Sequence, residues 1–205
     1  CSANLNAQTE QPKDSLNSET LDEVLIQAVR ANKKTPMAFS NLSKEEIAKK
    51  NLGQDIPVLM NFMPSVVTTT DAGNGVGYTG IRVRGSDATR VNVTLNGIPY
   101  NDSESHGSFW VNMPDFASSL ENLQLQRGVG TSTNGSGAFG ASLNLLTDAF
   151  SEKGSGEISN SFGSYNTRKH TVKFSTGLLN NAFEISGRLS NINSDGYIDR
   201  AKSDL

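Results

Sequence analysis

The chain of 205 residues lacks any apolar run approaching the roughly 20 residues an α-helix needs to cross a bilayer. That excludes a helical membrane protein but not a transmembrane β-barrel, whose strands alternate and never look apolar on average. No charge sign dominates: 18 basic residues face 21 acidic ones, for a net charge of −3, which excludes a strongly basic nucleic-acid binder. Cys1 is the one cysteine, so there is no internal disulfide and no multi-cysteine metal site. The two histidines, His106 and His170, have no ligand spacing, so no structural metal is indicated, and nothing calls for a cofactor. Hydrophobic residues make up only 35%, thin for a dense soluble core. Aromatics at 7% and scattered Ile, Leu and Val nevertheless argue against a disordered chain.

What is present falls into four zones. Residues 1–7 (CSANLNA) are small and polar and read as the remnant of a secretory signal, with a lipidated Cys1 as the rival reading. Residues 8–31 form a polar leader; within it Leu21, Val24, Leu25 and Ala28 have helical spacing behind a Thr20/Glu23 capping box, while Val24-Leu25-Ile26 equally suits a strand that pairs with a partner. Beyond it, Ser43 with Glu46 predicts a helix over Lys44–Lys50, and Asp55 caps a second near Ile56–Phe62 with Pro57 in its first turn. From Ser65 to Thr147 the chain carries most of its 19 glycines, between short β-prone runs at Val66–Thr70, Ile81–Arg84, Arg90–Leu95, Leu123–Arg127 and Ser142–Leu146. Asn96-Gly97 is a tight-turn signal after a strand, and Pro114–Leu120 predicts one more short helix. This zone, Ser65–Thr147, predicts a compact α+β unit with long glycine-bearing loops.

Residues 148–205 change rhythm. Val172, Phe174, Thr176 and Leu178 alternate with Lys169, Thr171, Lys173 and Ser175. After Gly177–Asn181 the pattern resumes with Phe183, Ile185 and Leu189 against Glu184, Ser186, Arg188 and Ser190, and Ile158 with Phe162 marks an earlier strand. A two-residue period with one apolar and one polar side fits a membrane barrel and a soluble sandwich alike.

Four blocks in the middle zone separate the two. Gly80–Gly85 (GIRVRG), Val91–Pro99 (VNVTLNGIP), Leu120–Gly130 (LENLQLQRGVG) and Asn134–Thr147 (NGSGAFGASLNLLT) resemble, in order, the plug of TonB-dependent outer-membrane receptors. Gly163–Thr167 (GSYNT) is similar to the family's first barrel hairpin. The chain departs from the family pattern at Asn96, where an Asp is usual, and at Asn122 and Gln124, where Arg and Glu are usual. The resemblance implies an α+β plug domain, a small mixed sheet with short helices and long Gly-rich loops, followed by the first antiparallel strands of a truncated transmembrane β-barrel.

It further implies a gated importer in the outer membrane, not an enzyme, with the plug in the barrel lumen and a periplasmic N-terminus. The expected partners are TonB with ExbB and ExbD, a ferric chelate, and outer-membrane lipid. The TonB contact would be strand addition at Leu21, Asp22, Glu23, Val24, Leu25 and Ile26, where main-chain hydrogen bonds supply affinity. Tyr78, Tyr100, Asn101, Asp102, His106 and Trp110 are the expected ligand contacts, in the loops Asp71–Thr79 and Tyr100–Trp110. Arg82, Arg84, Glu121 and Arg127 are the expected ion-pair formers between plug and barrel. Cobalamin, haem or another chelate as cargo, or a secreted α+β binding module without transport, are the alternatives.

Other motifs fall away. Gly75–Gly80 and Gly135–Gly140 both spell GxGxxG, yet each is followed by strand-like sequence where a dinucleotide site needs a helix. Asp102, Ser103, Ser105 and His106 hold the side chains of a hydrolase triad, but they crowd one loop with no nucleophile elbow. Asn92-Val93-Thr94 is a glycosylation sequon in form only.

Overall fold

The computed structural model describes residues 30–130, 135–180 and 182–205. Strand β1 (Ala38–Ser43) leads into helix α1 (Lys44–Lys50). As expected, Ser43 Oγ accepts from the Glu46 N–H while the Glu46 carboxylate accepts from the Ser43 N–H at 2.9 Å, closing the capping box. Helix α2 (Ile56–Leu59) is shorter than expected, and the Asp55 side chain does not cap it. That carboxylate is buried and accepts from the Thr79 hydroxyl at 2.8 Å.

A hairpin of β2 (Val66–Thr70) and β3 (Thr79–Val83) follows. The central sheet is completed by β4 (Val91–Leu95), β5 (Ile98–Pro99), β6 (Leu120–Arg127) and β7 (Ala141–Thr147), in the order β1-β6-β7-β4-β5. β4 and β7 run parallel; the other pairings are antiparallel. Asn96 and Gly97 turn β4 into β5 with φ of 50° and 83°, the left-handed pair an Asn-Gly turn supplies. The expected helix at Pro114–Leu120 is a 3-10 turn over Phe116–Ser119, while β1 and β5 had no sequence signal. The core lies between one face of this sheet, the helices and the hairpin. Leu123, Leu125, Leu143, Leu145, Val91 and Val93 meet Ile47, Ile56, Leu59 and Met60 there.

Strands β8 (Ser155–Phe162), β9 (Arg168–Ser175), β10 (Ser186–Ser194) and β11 (Ser203–Asp204) form a second, antiparallel sheet, here called the wall, in the order β11-β10-β9-β8. Gly163–Thr167 makes the β8–β9 hairpin, with Tyr165 and Asn166 left-handed. Registry aligns side chains in rows across β8, β9 and β10. Ile158, Val172 and Leu189 form one row; Glu157, Lys173 and Arg188 form the next. Phe174 lies between Gly156 and Gly187, and a Cβ on Gly187 would stand 2.8 Å from its ring.

The wall inverts the usual arrangement. Its apolar row is exposed, with Leu189 and Ile158 each 74% accessible, whereas Lys169 and Thr171 are buried against the rest of the molecule. A soluble sandwich would turn Ile158, Val172 and Leu189 inward and the lysines out. This sheet does the reverse and does not close on itself among the described residues. No helix among the described residues is long and apolar enough to cross a membrane.

Candidate functional site

The boundary between the α+β unit and the wall is built around Asp115. This residue is left-handed (φ 50°) and 1% exposed, at the start of the Phe116–Ser119 turn. Its carboxylate accepts from Lys169 Nζ at 2.6 Å, Ser118 Oγ at 2.6 Å, Ser190 Oγ at 2.5 Å and Thr171 Oγ1 at 3.1 Å, with Arg188 at 3.2 Å. Arg188 also donates to the Asp115 carbonyl. Burial opposes ionisation of Asp115, but the Lys169, Ser118 and Ser190 donors more than offset it and hold the carboxyl below the usual range. A second cross-boundary group joins Asp148 to Lys173 and to Lys44, the latter at 2.7 Å. Beside these groups a cleft of about 100 Å³ runs between α1 and the wall, lined among others by Lys44, Asn51, Ser118 and Thr171.

Asp148 also fixes direction, because the chain passes there from β7 into the wall. Asn96 lies at this entry end, with its Nδ2 donating to Thr147 Oγ1 at 2.9 Å and its Oδ1 accepting from the Thr147 N–H at 3.0 Å. Three loops lie at the end remote from Asp148. Residues 71–78 meet the far end of the wall, where Asn74 Nδ2 donates to Ser203 Oγ at 3.0 Å and Tyr197 stacks edge-on with Tyr165 at 5.4 Å. Loop 100–109 and the segments 128–130 and 135–140 lie at the starts of β4 and β7: Gly128 N–H donates to Gly140 O, and Gly140 N–H to Arg90 O. Gly140 is irreplaceable here, since a Cβ would stand 2.8 Å from the Arg90 carbonyl.

The residues singled out from sequence divide clearly. Tyr78 is 69% exposed in the first loop. Tyr100 is half-buried, packed on the core edge. Asn101 tethers its loop: Oδ1 accepts from the Val93 N–H at 2.7 Å, and Nδ2 donates to the carbonyls of Val91 and His106. Asp102 accepts from the Ser105 N–H and hydroxyl and the Glu104 N–H; the Ser105 main-chain bond first of all holds its carboxyl below the usual range. His106 is exposed and left-handed, with φ of 57°. Trp110 corrects the expectation: it is buried in the hydrophobic core at 3% exposure, with no face toward a ligand. Phe109 and Phe139 are further exposed aromatics of this end, the latter with Arg90 5.7 Å from its ring centre. Phe109 stood beside Trp110, and exposure distinguishes the two where neighbouring letters do not; Phe139 had no such signal in the sequence.

The expected ion-pair formers do not bridge to these wall strands. Arg82 meets Asp87 at 3.9 Å, Glu121 meets Lys44 at 3.0 Å, and Arg127 donates to Ser40, all within the α+β unit. Arg84 lies over Gly128. Among the described residues the bridging pairs are Asp115 with Lys169 and Arg188, and Lys44 with Asp148, which Lys173 also holds. Leu21, Asp22, Glu23, Val24, Leu25 and Ile26 lie outside the described residues.

An α+β unit seated by its polar side against the polar face of an inside-out antiparallel sheet is a plug packed on a piece of barrel wall. Residues 31–142 match the family model of the TonB-dependent receptor plug domain, and the chain belongs to that family. It is similar to the ferrienterobactin receptor of Escherichia coli, at 26% identity over 97% of this chain and 27% of that protein. Among solved structures it resembles the alcaligin outer-membrane receptor of Bordetella pertussis (18% identity, TM-score 0.63, 80% of this chain and 28% of the other). The ferripyoverdine receptor of Pseudomonas aeruginosa is comparable, at 15% identity and a TM-score of 0.63 over 80% of this chain and 21% of the other. The chain thus spans about a quarter of the length of the curated relative it matches.

Proposed function

We propose that this chain is the plug and opening wall of an outer-membrane receptor that captures an iron chelate and imports it with energy delivered through TonB. Residues 32–147 are the plug, residues 148–205 the first strands of the barrel, and residues 8–31 the leader that TonB grasps at Leu21–Ile26. The observation that carries this reading is the reversed burial of the wall: Ile158, Val172 and Leu189 face outward while Lys169 and Thr171 face the plug. An outward apolar row suits lipid, and an inward polar row suits a filled lumen. The names of the similar proteins, receptors for ferrienterobactin and ferripyoverdine, support an iron chelate over cobalamin or haem.

In this reading Asp115 seats the plug, and the segments 71–78, 100–109 and 135–140 offer Tyr78, Tyr100, Asp102, His106, Phe109 and Phe139 to the chelate. Trp110 and Asn101 hold that surface from beneath. The test uses the full-length receptor in outer-membrane vesicles and a panel of ferric chelates. Tyr78→Ala with Phe109→Ala should weaken binding of the cognate chelate by tenfold or more and leave barrel insertion unchanged. Unchanged affinity in that double variant removes the loop surface from the ligand site, and a wild-type receptor that binds no ferric chelate removes the cargo.

A further inference from the structure

One face of the central sheet packs the hydrophobic core. The other carries side-chain amides and hydroxyls: Asn41 on β1, Asn122, Gln124 and Gln126 on β6, and Ser142 and Asn144 on β7. Gln124 on this polar face is only 1% exposed. Ala31, itself buried, lies over it. The Ala31 N–H donates to Gln124 Oε1 at 2.7 Å, and Gln124 Nε2 donates back to the Ala31 carbonyl at 2.9 Å. That two-way pairing is what a neighbouring strand would offer Ala31. Gln124 is fixed in turn: Nε2 also donates to Asn41 Oδ1 at 2.8 Å, and Oε1 accepts from Gln126 Nε2 at 2.9 Å. One residue upstream, the Arg30 guanidinium donates to Asn122 Oδ1.

Both sites are among the three at which the sequence departs from the family pattern, and the chemistry explains these two. A glutamate at 124 could accept from the Ala31 N–H but could donate neither to the Ala31 carbonyl nor to Asn41. An arginine at 122 would place its charge against Arg30. Neutral amides admit the chain, at a cost. Among the described residues Arg30 Nη1 is buried with no partner, and its guanidinium meets an amide where a carboxylate would neutralise it. Burial lowers the Arg30 pKa accordingly. A half-buried cation without a counter-charge weakens the closed arrangement.

We infer that Gln124 and Asn122 form a releasable clasp that sets where the leader departs from the plug. Closed, the leader leaves the sheet at Arg30. Open, it leaves at Ala38, the first residue of β1, and residues 30–37 add up to roughly 28 Å of reach at about 3.5 Å per residue. Tension on the leader loads the Ala31–Gln124 bonds before it loads the β1–β6 ladder, because Ala31 precedes β1 in the chain. The occupant that benefits is a partner that binds the leader as an extended strand. In the import reading that partner is TonB, and only this consequence rests on that reading.

Thiol labelling tests the clasp in the full-length receptor in outer-membrane vesicles, with Cys1→Ser and Ala31→Cys as background and a maleimide as probe. Gln124→Met, which keeps bulk and removes both hydrogen-bonding groups, should speed labelling at least tenfold. Asn122→Asp, which gives Arg30 a carboxylate, should slow it. General loosening of the plug would speed both, so the opposite signs are required. Unchanged labelling in Gln124→Met, or faster labelling in Asn122→Asp, overturns the clasp. The assay uses neither chelate nor TonB. Its failure therefore removes the clasp alone, whereas a receptor that labels as expected yet imports no chelate removes the import reading and leaves the clasp.

Discussion

The plug and the wall obey the same two-residue rhythm and bury opposite halves of it. On β6 and β7 of the plug, Leu123, Leu125, Leu143 and Leu145 go into a hydrophobic core. On β9 and β10 of the wall, Lys169, Thr171, Ser190 and Ser194 go inward while Phe174 and Leu189 stay out. The plug is held together by apolar area withdrawn from water. The boundary between plug and wall is held by charge: Asp115 of the plug against Lys169 and Arg188 of the wall, and Lys44 of the plug against Asp148, where the wall begins and which Lys173 also holds. The wall alone is no stable body in water, since its apolar side has nothing but solvent to face. Its inner side is organised by the plug, which makes Asp115 as much a folding element as a contact.

The contrast breaks most severely at Asp115. Asp115→Asn preserves shape and tolerates the left-handed backbone, but it leaves the Lys169 ammonium, 3% exposed, without its counter-charge. Removing one partner of a buried pair costs about 3–5 kcal/mol. In the full-length receptor this should appear as lost hydrogen-exchange protection over residues 115–119 and 168–175, with Lys169→Met in the same molecule restoring much of it. Protection within about 1 kcal/mol of wild type would mean that the boundary is not anchored electrostatically. Because the Asp115 carboxyl is held below its usual range, this contribution is fully present above its unfolded value and is lost as pH falls through the folded one. Protection should hold from pH 7 to 5 and decline only below about 4.

The outer face gives the next effect. Phe174→Arg puts a charge in the exposed apolar band at a cost of about 2–4 kcal/mol near the bilayer midplane, less toward its edges. The folded, heat-modifiable fraction of the receptor should drop while exchange within the plug core is unchanged. A wild-type yield would return the wall to the soluble-sandwich reading, in which an exposed Phe174 is a liability and arginine an improvement.

How much of this was legible follows from the range of the interactions. The Ser43/Glu46 capping box and the Asn96-Gly97 turn are settled within four residues, and the structure has both. The alternation of β9 and β10 is equally local, but which half faces in is decided by what lies beside the sheet. The family blocks at Gly80–Gly85 and Asn134–Thr147 supplied that context where the strands themselves could not. Asp115 was invisible because its partner Arg188 is 73 residues away and nothing in Pro114–Leu120 marks the carboxylate as buried. Trp110 was misread for a related reason. It follows a polar loop, and only the fold shows that the chain re-enters the core between Phe109 and Trp110. Strand β1 went unseen because only Leu42 of its six residues is buried and the run carries no strong alternation.

Asp55 sharpens the comparison from the other side, as a carboxylate the plug buries without a cation. Burial raises its pKa to about 6, and the hydrogen bonds from Thr79 and Gly77 oppose this without overcoming it. A folded value above the unfolded one means that stability falls as pH rises from about 4 to 6 and is flat beyond. Asp55→Asn removes the charge that must be buried at neutral pH and should stabilise the hairpin tip by about 1–2 kcal/mol at pH 7.5. Part of the gain is forfeited because the amide accepts through one oxygen alone and puts an Nδ2 donor where the carboxylate has its second oxygen. Exchange over residues 74–79, corrected for intrinsic rates, should show wild type less protected at pH 7.5 than at pH 5 and the variant level between the two. A wild type equally protected at both values would mean that Asp55 does not titrate in this range.

The smallest effect belongs to Glu121, one of the ion-pair formers expected from sequence. It meets Lys44 at 3.0 Å with both side chains about half exposed, at 41% and 52%. Lys44 is simultaneously held by Asp148, which is less exposed and also pairs with Lys173. Glu121→Gln therefore removes an exposed partner while a better-placed one remains, and the cost should be below about 0.5 kcal/mol and vanish at high salt. Asp148→Asn deprives Lys44 and Lys173 together of a carboxylate and should cost more in the same assay. The two variants share a lysine and differ in which side of the boundary they serve: Glu121 is tied within the plug, while Asp148 stands where the chain crosses into the wall. If Glu121→Gln proved the costlier, charge at this end would be stabilising the plug itself, and the division between an apolar plug and a charge-held boundary would fail where the two units join.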